Sequence, residues 1–201
     1  MKPNFDDAEY AAKLLRLNQP DDSLALDVKK MQFDLPIIID TFQNYAKLTG
    51  IPIQDLYLSK SSHDGYTIQS ANNYIILYDN DTSRSEERLN WTLAHELGHI
   101  YLGHKTDGAR QEIEAHWFAA ELLAPELVIR QIAKTITVNP FVIQHLFGVS
   151  FEAASKRINS LIRKTCWNIE LRTEMLTKYK NSILEITKNR VLCDTSMQNR
   201  K

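Results

Sequence analysis

The sequence predicts an α+β fold that is mostly helical, with a small antiparallel sheet beside a central helix and a helical C-terminal part. Three observations carry that expectation. Apolar residues recur at three- and four-residue spacing through most of the chain, as at Leu89, Leu93, Leu97 and Ile100. One short stretch, YTIQSANNYIILYD at residues 66–79, is instead rich in Tyr, Ile and Thr, the composition of paired strands. The chain has 201 residues, 43% hydrophobic and 24% charged, with six Gly and six Pro. That is long enough to bury a sizeable core, and it excludes disordered and fibrous classes.

Taken in order, Asp6–Leu17 has the apolar spacing of a short helix, broken at Asn18–Pro20. Asp21–Gly50 reads as one or two helices, with Pro36 as a break and Gly50 as a stop. Ile51–Leu58 packs on the core and Ser59–Gly65 is a loop. The strand pair follows, turning at Ala71-Asn72-Asn73. Ser83 with Glu86 forms an S-x-x-E capping box that opens a helix near residue 84, and Gly103 suits its C-cap. QEIEAHWFAAELLAP, residues 111–125, is a second helix that begins near Ala109 or Arg110 and stops at Pro125. Pro140–Phe147, a turn at Gly148-Val149-Ser150 and Phe151–Ile162 make a helix-turn-helix-like hairpin, with Ala154 and Ile158 facing inward. Residues 165–201 are helical at first and polar at the end.

The chemistry concentrates in TLAHELGHIYLGH, residues 92–104. His95 and His99 lie four apart, one turn above each other on a helix, so both can bind one metal ion from the same face. Glu96 sits beside them, where it can handle the proton of a water. A catalytic zinc needs a third protein ligand and an open position. Glu112 and Glu114, near the start of the next helix, are the candidates. Glu112 is favoured because His116 stands one turn on, where a polar group can orient a metal-bound histidine. Glu114 has Phe118 at that position. Tyr66, Tyr101 and His104 are open choices for stabilising an oxyanion.

HELGH followed by E-x-x-A-x-x-F-A-A-E-L-L-A-P, carried by Glu112, Ala115, Phe118–Leu123 and Pro125, resembles the ImmA/IrrE family of metallo-endopeptidases. Gly65, Tyr74–Tyr78 and LFGVSFEAASKRI, residues 146–158, extend the resemblance over roughly residues 60–160. It departs at His116, where the family often has Asn or Asp, and at Ala124-Pro125, where it has Met-Pro. The resemblance implies a zincin-like metallopeptidase, and the chain is divided accordingly into a metallopeptidase domain over residues 1–135 and a C-terminal helical extension with the helix-turn-helix-like hairpin over 136–201. It implies Zn²⁺ held by His95, His99 and Glu112, with Glu96 as general base. Tyr74–Tyr78 would be the sheet edge that pairs an extended substrate. The substrate implied is a DNA-binding repressor of the helix-turn-helix kind.

Charge allows a rival reading. Residues 1–90 hold 9 basic and 14 acidic side chains, whereas residues 161–201 hold 9 and 4. A basic C-terminal end, with Ser155, Lys156 and Arg157 on the second hairpin helix, would suit a metal-containing regulatory or DNA-binding module without proteolysis. The hairpin as a support for the active site is the favoured alternative. No apolar run is long enough to span a bilayer, MKPNFDDAEY lacks a signal's apolar region, and Cys166 and Cys193 are two isolated thiols. These features point to a cytoplasmic protein.

Overall fold

The computed structural model describes residues 2–58, 64–70, 73–80, 83–106, 108–161 and 169–188. The turn at Ala71-Asn72, most of the Ser59–Gly65 loop, both cysteines, Ile162 and the polar C-terminal tail lie outside them. The fold is mostly helical with one three-stranded sheet, in the α+β class that the sequence predicts.

Helix α1 (Phe5–Leu17) starts where the Asn4 side chain accepts from the Asp7 N–H. Its Ala8, Ala12 and Leu15 are buried in the main core. A single 3-10 turn at Val28–Lys30 is fastened by Asn90, whose Oδ1 accepts from Val28 N (2.8 Å) and whose Nδ2 donates to Leu26 O (2.6 Å). Strand β1 (Ile37–Thr41) then leads into α2 (Phe42–Thr49), which Gly50 ends in the left-handed region at φ 74°. α3 (Ile53–Leu58) precedes β2 (Gly65–Gln69) and β3 (Tyr74–Tyr78).

β2 and β3 form the expected antiparallel pair, but the sheet is mixed: β1 adds in parallel on the other side of β3, giving the order β1-β3-β2. The Asp21–Gly50 stretch therefore holds a strand where helix is expected. Pro36 breaks the chain before Ile37-Ile38-Ile39, whose branched side chains suit a pleated surface. Strand alternation sorts the two faces. Ile37, Ile39, Tyr74, Ile76 and Tyr78 join the helical core, while Tyr66, Ile68, Ile75 and Leu77 pack on Phe42 and Leu56.

α4 (Glu86–Tyr101) crosses the core face of the sheet. Its N-cap is Ser85, not Ser83, with the Ser85 side chain accepting from Arg88 N–H. α5 (Ala109–Leu123) packs along α4 and α1, and α6 (Glu126–Ile132) follows Pro125. α7 (Pro140–Phe147) and α8 (Phe151–Ser160) form the hairpin, turned at Gly148 with φ 62°. α9 (Ile169–Lys178) and a further helical run at 180–188 complete the described chain.

Buried charge joins these helices. α5 ends with unpaired carbonyls, and two arginines collect them. Arg16 of α1 donates to Leu122 O and Leu123 O, and Arg157 of α8 donates to Ala124 O at 2.8 Å. Arg157 also pairs with Glu121, and Arg16 Nε donates to the Tyr179 hydroxyl at 2.7 Å. Arg157 is thus a core residue, not a DNA-facing one. Lys156, beside it, is exposed and pairs with Glu152 at 2.7 Å, and Ser155 Oγ donates to Phe151 O at 2.8 Å. Among the described residues no helix is long and apolar enough to cross a membrane.

Candidate metal centre

α4 carries His95, Glu96 and His99 on its C-terminal half, and α5 brings Glu112 to them from its first turn. The close approach of the two helices depends on Gly98. A Cβ built there would lie 2.9 Å from Ala115 Cα, so only glycine lets α5 come this near. His95 Nε2 and His99 Nε2 are 3.1 Å apart. Glu112 Oε2 is 3.3 Å from the first and Glu112 Oε1 is 3.4 Å from the second. One ligand atom from each of the three residues falls within a 4.8 Å span.

Two imidazole nitrogens and a carboxylate oxygen, converging from two helices, fit a catalytic zinc-type donor set of three protein ligands. The His95 ring supports that fit. Burial, then the neighbouring rings of His116, His99 and His104, pull its pKa down to about 3, so it stays neutral and keeps a lone pair to offer. Its Nδ1 is buried without a hydrogen-bond partner.

Glu96 is 6% exposed, and Thr67 Oγ1 of β2 donates to its Oε2 at 2.7 Å. Nothing in the sequence around residue 96 points to Thr67; only the antiparallel register, which sets Thr67 opposite the core residue Ile76, turns it toward α4. The cleft above has a volume of about 520 Å³, walled by β2 on one side and by Gly103–Thr106 after α4 on the other. The expected pairing edge does not hold. Tyr74–Tyr78 is the central strand with both sides occupied, and the outer strand at the cleft is β2.

The remaining candidates separate cleanly. Glu114 is not in the cluster: it is buried, accepts from Asn4 N–H at 2.6 Å, and lies 3.1 Å from His104 Nε2. The His116 ring sits 4.4 Å from the His95 ring and 6.3 Å from that of Trp91, and burial lowers its pKa. It does not hydrogen-bond His95 Nδ1, so the orienting role expected of it has no such contact. Tyr101 points away, donating to Asp34 at 2.6 Å. Tyr66 borders the cleft on β2, but its ring packs 5.5 Å from that of Phe42 on the opposite sheet face. His104 does reach the site, with Nδ1 3.2 Å from His99 Nδ1.

A peptidase family model described as the IrrE N-terminal-like domain matches residues 46–159. No curated protein matches the chain.

Proposed function

The chain belongs to the IrrE N-terminal-like peptidase family, whose model covers more than half of it, and from that premise we propose that it is a zinc-dependent endopeptidase. The family gives the coarser statement, a metallopeptidase with a metal ion and a protein substrate. The observation that carries the finer one is the convergence of His95, His99 and Glu112 beside the buried carboxylate of Glu96.

In this reading His95 Nε2, His99 Nε2 and a Glu112 oxygen hold the ion. Bound zinc would polarise the scissile carbonyl and bring the pKa of a coordinated water down toward about 7. Glu96 takes a proton from the attacking water and passes it to the leaving amine, changing between carboxylate and carboxylic acid within one turnover. Thr67 holds the carboxylate through Oε2, so its orientation is set before substrate arrives. The outer edge of β2 offers backbone N–H and C=O groups to an extended peptide, which aligns the scissile bond over Glu96. The α7–α8 hairpin serves as a support for the site: Arg157 is spent on the Ala124 carbonyl and Glu121, which leaves the DNA-binding alternative without one of its cations.

The substrate class follows from the family resemblance: a helix-turn-helix repressor, cut to relieve repression. The test is cleavage of such a repressor by the zinc-loaded chain and by its Glu96→Gln variant. The reading expects the variant to bind zinc and fold as the parent does, with cleavage reduced at least about 100-fold through loss of the base. Equal cleavage by both proteins would sink it.

A further inference from the structure

The end of α4 places one histidine back over another. Gly103, at φ 64°, turns the chain so that Gly103 N donates to Ile100 O (3.0 Å) and His104 N donates to His99 O (3.0 Å). This is a Schellman stop, in which the second residue past the cap returns to the third residue before it. The side chains repeat the relation, with His104 Nδ1 3.2 Å from His99 Nδ1. On its other side His104 Nε2 is 3.1 Å from Glu114 Oε2. Glu114 is itself held: its Oε1 accepts the main-chain N–H of Asn4, the cap of α1, at 2.6 Å, and Arg110 Nε lies 3.3 Å from the same oxygen. Asn4 and α1 lie outside the span that the family model matches.

From this chain of contacts, and on the reading of the metal centre given above, we infer that His104 and Glu114 are positioning residues that fix His99 with its lone pair on Nε2. With both imidazoles neutral and Glu114 a carboxylate, the proton order has one solution. Glu114 Oε2 accepts, so His104 carries its hydrogen on Nε2. His104 Nδ1 is then an acceptor, so His99 carries its hydrogen on Nδ1. That leaves His99 Nε2 bare, and it is Nε2 that faces His95 and Glu112. Support of this kind around a metal-bound histidine sets its tautomer and ring orientation and strengthens it as a ligand. His95 lacks it, because its Nδ1 is buried with no partner. The two histidines of the motif are thus unequal, and the N-terminal helix reaches the centre through Glu114.

Two measurements test the inference: Zn²⁺ affinity by competition with a chromophoric chelator, and ¹⁵N chemical shifts of the imidazoles in the metal-free parent. His104→Phe, which removes the acceptor for His99, is expected to weaken Zn²⁺ binding about 10–100-fold. His104→Asn, whose amide oxygen replaces Nδ1, should recover most of that loss. The parent spectra should show His104 protonated on Nε2 and His99 on Nδ1. Parental affinity in His104→Phe, no recovery in His104→Asn, or a His104 proton on Nδ1 would each overturn the inference. If His104→Phe does not fold, the tautomer spectra and His104→Asn decide. A parent chain that binds no Zn²⁺ removes the reading of the centre as well, whereas a parent that binds beside an indifferent His104→Phe removes only this proposal.

Discussion

Glu96 shows what a single side chain is asked to do. Its carboxylate is buried next to two histidines and held by one hydroxyl from the sheet. Thr67→Val removes that hydroxyl at nearly constant volume. Steady-state cleavage should then fall about 3- to 10-fold, on the order of one hydrogen bond, with zinc content unchanged. An unaltered rate would show that the contact does not position the base. His95 makes a second prediction. Its folded pKa of about 3 lies far below the ordinary 6.5, and burial also lowers His116. Between those values the unfolded chain takes up protons that the fold refuses. The stability these rings contribute is therefore complete above pH 6.5 and declines as the pH falls through it toward the folded value. Thermal melts of the metal-free chain should show Tm dropping from pH 7.5 to 5.5; a flat profile would contradict the burial of these rings. The proposed histidine ligands were legible in the sequence because metal binding from one helix demands a four-residue spacing. Glu112 was favoured over Glu114 for the His116 one turn on, yet that ring makes no hydrogen bond to His95 Nδ1, and what brings Glu112 to the histidines is the packing of α5 on α4. Thr67, and the pairing of Glu114 with Asn4, were not legible, since each joins residues remote in sequence.

Between elements, the decisive contact is α4 against α5. Gly98 faces Ala115 so closely that an added Cβ would meet backbone at 2.9 Å, and the same approach lets Glu112 reach both histidines. Gly98→Ala sets two effects against each other. Alanine favours a helix by about 1 kcal/mol over glycine, but forcing a methyl into a packed backbone contact costs about 1–3 kcal/mol. Here the neighbour is main chain and cannot swing aside, so the clash should win. The variant is expected to melt at a lower temperature and to bind zinc more weakly, whereas a more stable variant with parental affinity would refute the close approach. The helices were readable from their caps and stops: Gly50, Gly103 and Gly148 all end up in the left-handed region. β1 was not, because a run of three isoleucines after a proline carries no alternating pattern of its own. Its side chains are sorted only by pairing with β3. That unseen strand also moved the open edge from β3 to β2.

At the scale of the whole molecule, the fold is tied by charges buried at the end of α5. Glu9, Lys13, Arg16, Glu121, Glu126 and Arg157 are all buried, drawn from four helices. Burial raises the Glu9 pKa, with Glu121 adding to the rise. Removing one partner strands the others, so Arg157→Ala should cost about 3–5 kcal/mol in a denaturant titration. Lys156→Ala, one residue away and exposed, should cost less than about 0.5 kcal/mol. Equal effects would mean that α8 is not anchored through Arg157. This cluster was hidden in the sequence, where Arg16 and Arg157 look like ordinary surface cations on helical faces. The C-terminal hairpin was visible as two helices and a turn, but its attachment to the α5 terminus emerges only from the packing. The central claim is that two neighbouring helices, so tied, present one three-ligand metal site. Its most direct test is the zinc content per chain of the purified protein and its variants. The account predicts one zinc per chain in the parent and in Glu96→Gln, and loss of that zinc in His95→Ala and Glu112→Ala. A parent without stoichiometric metal, or a Glu112→Ala variant that keeps it, would contradict the account.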